Sequence, residues 1–114
     1  MKFTIYHLKT CDTCRKAIKT LEAAGHELSI IDVRADGVPK DKLTEIVKAA
    51  GWQAVLNTRS TTWRGLSDAD KADMNQARAI ALMAEHPTLI KRPVIIGGSD
   101  ISIGWKADVQ AKFT

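Results

Sequence analysis

Both cysteines of the chain lie in one short segment, LKTCDTCRKAI, at residues 8–18. Cys11 and Cys14 are separated by two residues, and a pair of thiols at this spacing serves three kinds of chemistry. It can help to bind a metal ion, form a structural disulfide, or carry out thiol–disulfide exchange. The choice depends on the elements that hold the pair and on the other ligands that the chain offers.

The metal and disulfide uses have little support in the sequence. A structural zinc site usually needs four ligands, but there is no second CxxC, and the nearest histidine, His7, has no partner. No apolar stretch approaches the ~20 residues that a membrane helix requires, and the N-terminal MKFTIYHL lacks the apolar region of a secretory signal. We therefore expect a cytoplasmic protein with no metal site and no membrane contact, a setting where structural disulfides are rare.

The predicted elements place the cysteine pair at a junction between a strand and a helix. Residues 2–7 and 28–33 are predicted strands on either side of a helix at 12–24, and a hairpin of strands at 93–98 and 100–105 comes late in the chain. Between these halves, the patterns predict a helix that ends at Gly51, a region without clear period at 52–66, and a long helix from about Ser67 to about Glu85. A short helix is expected from Lys106.

This order, βαβ followed by ββα, is the thioredoxin arrangement, with a right-handed crossover between the first two strands. We predict an α/β, thioredoxin-like fold in a single domain at 1–114, with a helical insertion between its halves at about 40–86. One compact domain is also what a chain of 114 residues suggests.

Thiol chemistry has a physical basis at this junction. Cys11 falls just ahead of the helix, where unpaired backbone N–H groups and the helix dipole stabilise a thiolate. Cys14 lies one turn further on, as a resolving thiol would, and nearby cations such as Lys9 and Arg15 could add to the effect. The alternative is that the two cysteines are small apolar residues near a helix start, without reactivity.

The net charge of +4, from 17 basic and 13 acidic residues, makes the chain mildly basic. The basic residues are scattered among acidic ones, and no five like charges occur in a row. Nucleic-acid binding domains usually concentrate their cations on one face. We therefore expect no direct contact with nucleic acid.

Three segments together resemble the ArsC/Spx/YffB family of thioredoxin-fold proteins with a helical insertion. They are IYHLKTCDTCRKAIKTLE, GWQAVLNTRSTTWRGL and ALMAEHPTLIKRPVII, and with them the resemblance covers nearly the whole chain. The match looks closest to the YffB-type branch, which is linked to glutathione-dependent thiol reduction. The Spx branch comprises redox-sensing transcription regulators that bind RNA polymerase and use a CxxC switch.

The resemblance assigns roles to single positions. It implies that Cys11 is the catalytic cysteine, that Arg92 in LIKRP binds an oxyanion, and that Arg59 in LNTR is a second anion-binding arginine. It makes Pro93 the cis-proline of the thioredoxin fold. Thr10, beside the thiol, either caps the helix or donates to a bound anion, and capping is favoured.

Two departures from the family pattern bear on function. The third arginine of arsenate reductases has no counterpart in SDISIGWKA, which argues against arsenate as the main substrate. Cys14 is a second thiol that glutathione-dependent arsenate reductases lack, and it would let the protein form its own disulfide. Arg92 could also be a plain surface residue between a helix and a strand.

We therefore expect a monomeric thiol–disulfide or glutathione-dependent thiol reductase, with no bound cofactor and with glutathione as co-substrate. Its substrates would be small thiol compounds or oxidised proteins. The alternative is an Spx-like redox sensor that binds the RNA polymerase alpha subunit.

Overall fold

The computed structural model describes residues 2–97 and 100–113. Helices and strands occur in this order: β1 (Lys2–His7), α1 (Asp12–Ala23), β2 (Glu27–Asp32), α2 (Val33–Asp36), α3 (Lys40–Ala50), α4 (Trp52–Val55), α5 (Thr61–Arg64), α6 (Asp68–Lys71), α7 (Gln76–Glu85), a 3-10 turn (Pro87–Leu89), β3 (Val94–Gly97), β4 (Asp100–Ile103) and α8 (Ala107–Phe113).

The chain forms two compact units, one of Met1–Asp36 with Arg92–Thr114 and the other of Gly37–Lys91. The sheet unit contains all the strands named above, and the helical unit falls where the insertion at about 40–86 was predicted. The description of the whole chain as one domain stays a prediction.

The sheet has the strand order β2-β1-β3-β4. β1 pairs with β2 in parallel, whereas β3 is antiparallel to both β1 and β4. The βαβ unit and the late hairpin are therefore joined through β1 and β3, and the predicted thioredoxin-like α/β fold is confirmed. In this arrangement the segment that follows β1 and the segment that precedes β3 lie at the same end of the sheet.

One face of the sheet is covered by helices whose apolar residues recur at helical spacing. Helix α1 buries Cys14, Ala17 and Leu21 against the sheet side. The buried residues of this hydrophobic cluster are Phe3, Ile5, Leu21, Ile95 and Val109. This packing fixes α1 against β1, and therefore fixes the loop between them that carries Cys11.

The helical unit has its own core. Helix α3 buries Leu43, Ile46 and Val47 and packs against α7, which contributes Ile80 and Met83 among its buried residues. No helix in the described ranges is long and apolar enough to cross a membrane.

The prediction of one long helix from Ser67 to Glu85 was wrong, because the structure has two helices in this region, α6 and α7. Ser67 does cap α6, where its hydroxyl accepts from the N–H of Asp70 at 3.2 Å. The chain then turns at Asp73, whose φ of 51° is left-handed. Asn75 starts α7 by accepting the Arg78 N–H at 3.0 Å, which is the role that makes Asn favourable at a helix start.

The bounds of β1 match the prediction, whereas those of the later strands differ from it by one or two residues. β2 ends at Asp32 because Val33 already belongs to α2. β3 and β4 pair as the predicted hairpin, with Gly97 opposite Asp100. The predicted hairpin residues Gly98 and Ser99 lie outside the described residues.

Candidate active site

The topology of the sheet brings Cys11 and Arg92 to one place. Cys11 follows β1, and its N–H donates to the Leu8 carbonyl at 2.9 Å, which closes a tight turn at the end of the strand. β3 runs antiparallel to β1 with Tyr6 opposite Val94, so the residues just before Val94 lie beside the end of β1. The Arg92–Pro93 peptide is cis, as predicted.

Cys11 is itself the residue that caps helix α1. Its backbone is extended, with φ −91° and ψ 112°, and its Sγ accepts the N–H of Cys14 at 3.4 Å. The predicted capping role of Thr10 was therefore wrong, because the cap position is occupied by the thiol one residue later. A cap position exposes a side chain to unpaired N–H groups of the first helical turn, so the Cys11 sulfur replaces the usual capping oxygen.

The surroundings of Cys11 favour the thiolate. Burial alone would raise the pKa of the partly exposed thiol. Hydrogen bonds from the Cys14 side chain and backbone outweigh that effect, and so do the positive charge and a hydrogen bond of Arg92, so the pKa is lowered from its ordinary value of 9.0. Arg92 therefore acts directly on the sulfur, as a guanidinium beside a thiolate can.

Cys14 has the opposite environment. The residue is fully buried, and burial, followed by the hydrogen bond and negative charge of Cys11, raises the pKa of the Cys14 thiol to about 12. A backbone hydrogen bond involving Leu8 and the charge of Arg92 oppose this increase only in part. At neutral pH, Cys14 is thus a protonated donor, and Cys11 is the thiol that ionises first.

Arg15 does not act on the thiol as the sequence suggested. Its guanidinium forms an exposed ion pair with the Asp12 carboxylate, in the first turn of the same helix. The cation that lowers the pKa of Cys11 is therefore Arg92, from the distant segment before β3, and not a cation close to Cys11 in sequence.

Sequence reasoning missed Asp32, which fixes the loop that carries Cys11. Its Oδ2 accepts the N–H of Lys9 at 3.3 Å, while its Oδ1 accepts the N–H groups of Arg34 at 2.8 Å and Ala35 at 3.0 Å. Asp32 is 8% exposed. The pKa of the Asp32 carboxyl is lowered, mainly by the hydrogen bond from Ala35. Burial opposes this effect, but the hydrogen bonds from Arg34 and Lys9 and the charge of His7 add to it.

A signal for Asp32 was present in the sequence IIDVRAD. An aspartate directly after a strand pattern and ahead of a helix is a favoured cap. It escaped notice because the four-residue helix α2 is too short to show a helical period.

Comparison with known proteins identifies the family of this chain. The model of the ArsC family matches residues 6–113. The chain belongs to the ArsC family. One relative, an uncharacterized protein of Haemophilus influenzae, is 40% identical over 111 residues, covering 96% of this chain and 97% of its own length. The solved structure of a YFFB protein has a TM-score of 0.90 at 39% identity and covers 96% of both chains.

The relatives of this chain include a regulator as well. The global transcriptional regulator Spx of Listeria innocua is 27% identical over 113 residues, covering 96% of this chain and 85% of its own length. The predicted resemblance is therefore confirmed at the level of the family.

The remaining ArsC-type residues are placed as follows. Arg59 lies in the helical unit, exposed in a turn where its N–H donates to Asn57 Oδ1 at 3.1 Å. Its role as a second anion-binding arginine stays a prediction, as does any role of Thr10 and Pro93 in binding substrate. Thr10 lines a cavity beside the Cys11 loop. Across the described part of the chain, no three His, Cys, Asp or Glu residues are grouped as a metal site would require.

Proposed function

We propose that this ArsC-family protein is a cytoplasmic thiol oxidoreductase that reduces disulfides, with Cys11 as nucleophile and Cys14 as resolving thiol. The observation that carries the proposal is the placement of the two thiols: Cys11 is partly exposed at the start of α1, where its Sγ accepts the Cys14 N–H at 3.4 Å, whereas Cys14 is fully buried. The pKa values of the two thiols are displaced in opposite directions, in agreement with this placement. An exchange enzyme needs one thiol that is ionised and reachable and a second that stays protonated until the first has reacted.

In the first step the Cys11 thiolate attacks one sulfur of a disulfide R–S–S–R′. A bond forms between Cys11 Sγ and the R sulfur, the S–S bond of the substrate breaks, and R′S⁻ leaves and takes a proton from water. Arg92 stabilises the thiolate before attack and holds negative charge on the substrate close to Cys11 by its planar fork of donors. Arg59 is proposed to help in this binding.

In the second step the mixed disulfide is resolved. Once Cys11 is bonded to sulfur it carries no negative charge, so that cause of the high Cys14 pKa disappears. Cys14 then loses its proton to solvent and attacks Cys11 Sγ, which releases RS⁻ and leaves a Cys11–Cys14 disulfide. Two molecules of glutathione restore both thiols and become one glutathione disulfide, so the two electrons are accounted for.

The test is turnover of a small neutral disulfide, bis(2-hydroxyethyl) disulfide, with glutathione as reductant. Cys11→Ser should abolish the reaction, because a hydroxyl is not a comparable nucleophile at neutral pH. Cys14→Ala should keep the first step, seen as one released thiol per protein, and accumulate a mixed disulfide that mass spectrometry detects at Cys11. Wild-type protein that releases no thiol from any disulfide would refute the proposal.

A second candidate function rests on the similarity to Spx. If the protein is a regulator, the Cys11–Cys14 pair is a redox switch, and its partner is the RNA polymerase alpha subunit. Pull-down with purified alpha subunit, comparing reduced protein, oxidised protein and Cys11→Ser, distinguishes the two. Redox-dependent capture without disulfide turnover favours the regulator, whereas turnover without capture favours the reductase.

A further inference from the structure

Arg92 directly follows a short antiparallel bridge that belongs to the helical unit. The bridge joins residues 55–57 to residues 89–91, and Leu56 lies opposite Ile90 at its centre. Both of these side chains are buried, with 2% of Leu56 and 0% of Ile90 exposed. The chain therefore passes from a buried bridge to Arg92 within two residues.

Two backbone hydrogen bonds hold the strands of this bridge together, one on each side of its central pair. The Asn57 N–H donates to the Leu89 carbonyl at 2.7 Å, and the Lys91 N–H donates to the Val55 carbonyl at 2.8 Å. Val55 and Leu89 are fully buried, so breaking either bond would leave a carbonyl without a partner and away from water. Lys91, the residue before Arg92, is thus fixed to the helical unit through its own N–H.

The residues after Arg92 are anchored as well, by the sheet. Val94 pairs with Tyr6 of β1 and with Ile103 of β4. The Pro93 carbonyl accepts an N–H from the turn after β4 at 2.8 Å. Arg92 is therefore a single residue between two anchored segments, one in each compact unit.

This double anchoring bears on the contact between Arg92 and Cys11. When both neighbours of a residue are fixed, few rotations about its backbone bonds remain, and the direction of its side chain is set. Loosening one anchor restores those rotations, and the entropy gained then favours orientations of Arg92 that turn away from the sulfur. The bridge in the helical unit is the anchor on the N-terminal side.

We propose that the bridge between Leu56 and Ile90 positions Arg92 for its contact with Cys11, which makes Leu56 and Ile90 positioning residues of the reaction. The inference rests on the proposed function in taking Cys11 as the reacting thiol. It adds that the helical unit takes part in the reaction, through the backbone that leads to Arg92.

The test loosens the bridge from the strand that does not carry Arg92. Leu56→Ala removes a buried side chain opposite Ile90 and leaves a cavity. In a Cys14→Ala background Cys11 is the one remaining cysteine, so its pKa is obtained from the ultraviolet absorbance of the thiolate across pH. Leu56→Ala should lower the thiolate fraction about threefold at a pH below the pKa of either protein, against about tenfold for Arg92→Gln, because the arginine remains and still reaches the sulfur for part of the time.

The matched control is Leu43→Ala, which removes an equally buried leucine from α3 in the same unit. Leu43→Ala should leave the pKa of Cys11 unchanged. A rise equal to that of Leu56→Ala would mean that any loosening of the helical unit has this effect, and it would overturn the proposal. Leu56→Val and Leu43→Val form a milder pair if an alanine variant fails to fold, and equal Cys11 pKa values in that pair would count against the bridge in the same way.

A double variant tests whether Leu56 acts through Arg92. With Arg92→Gln already present, Leu56→Ala should cause no further rise in the pKa of Cys11, since the group that the bridge positions is gone. Additive rises in the double variant, or no rise in Leu56→Ala alone, would overturn the positioning role.

Turnover separates this inference from the proposed function. If wild-type protein releases no thiol from any disulfide but Leu56→Ala raises the pKa of Cys11 as expected, the reductase proposal fails and the positioning role stands. If wild-type protein reduces bis(2-hydroxyethyl) disulfide but the pKa of Cys11 is the same in Leu56→Ala, the positioning role fails and the reductase proposal stands.

Discussion

The contact between Arg92 and Cys11 makes a sharp prediction about the pH dependence of reactivity. Arg92→Gln removes a positive charge and a hydrogen bond that lower the pKa of Cys11, while glutamine keeps a polar side chain of moderate length. The pKa of Cys11 should therefore rise in the variant. A smaller fraction of thiolate at neutral pH must be weighed against the greater nucleophilicity of a more basic thiolate.

These two effects can be put in numbers. A hydrogen bond to an ionised group contributes about 1.5–3 kcal/mol, and the partial exposure of Cys11 argues for the lower end. About 1.4 kcal/mol corresponds to a tenfold smaller thiolate fraction at a pH below both pKa values. With a Brønsted coefficient of about 0.4–0.5, the more basic thiolate reacts about threefold faster. The variant should thus be about threefold slower at low pH and about threefold faster at high pH.

The assay follows the reaction of Cys11 with a neutral probe, 4,4′-dithiodipyridine, in a Cys14→Ala background that prevents ring closure. The rate of reaction with the probe is measured across pH for three proteins: the Cys14→Ala parent, which retains Arg92, the same protein with Arg92→Gln, and a control with Lys19→Gln. Lys19 lies eight residues beyond Cys11 on α1, about 12 Å along the axis, which exceeds the screening length of about 10 Å in 0.1 M salt. The pH–rate curves of Arg92 and Arg92→Gln should cross, and the control should match Arg92. Parallel curves would refute an electrostatic role of Arg92.

Three further predictions concern the substrate, acid stability and the core. Arsenate should be reduced more slowly than disulfides, because SDISIGWKA lacks the third arginine of arsenate reductases. The loss of one charge-assisted hydrogen bond of about 1.5–3 kcal/mol weakens transition-state binding about tenfold to a hundredfold. Faster reduction of arsenate than of disulfides would contradict this. The lowered pKa of Asp32 means that its ionised form stabilises the fold above its ordinary value of 3.8, and that this contribution disappears as the pH falls through the lower folded-state pKa. Asp32→Asn should therefore lower stability at neutral pH and flatten the loss of stability in acid, measured by urea unfolding across pH, and an unchanged acid slope would argue against it. A methyl group at Gly97 would overlap the buried Phe3 ring, so Gly97→Ala should destabilise the protein by about 1–3 kcal/mol, and Phe3→Leu should recover part of that loss; additive losses would exclude the overlap.

Local patterns were sufficient to predict the frame of the site. A strand rich in large apolar residues, a CxxC and an amphipathic helix specify the β1–α1 junction. The strand and the helix each show their own period, Cys11 falls between them, and Cys14 lies in the first turn of the helix. The late hairpin was predicted because its two apolar runs flank a turn. From these pieces the order of the elements gave the thioredoxin-like fold, and Cys11 followed as the thiol ahead of the helix.

The details that the sequence could not supply depend on contacts between distant segments. Arg92 reaches Cys11 because β3 pairs with β1, which no local pattern encodes, and the family resemblance was needed to select this arginine. The break between α6 and α7 depends on Asp73 and Asn75, whose neighbours still show a helical pattern. Asp32 was missed because α2, which supplies two of its donors, is too short to show a helical period, and because its third donor, Lys9, comes from the distant loop after β1.

The same arrangement has consequences for both halves of the proposed cycle. A thiolate that is stabilised by Arg92 and by Cys14 is abundant as a nucleophile, and it is also a good leaving group when the mixed disulfide is attacked, because thiols of lower pKa leave faster. When external glutathione attacks the substrate sulfur that is bonded to Cys11, Cys11 is the leaving group. Arg92 should therefore assist this step, because it stabilises the departing thiolate. Attack by Cys14 uses Cys11 as the electrophilic sulfur and gains nothing from its low pKa as a leaving group. The route through a Cys11–Cys14 disulfide thus depends on the proximity of the two thiols within one helical turn. Glutathione reaches that disulfide at the partly exposed Cys11, because Cys14 is fully buried, so Cys14 is the thiol that departs first. Arg92 acts again in the next step, when a second glutathione attacks the glutathione sulfur bonded to Cys11 and Cys11 leaves as a thiolate.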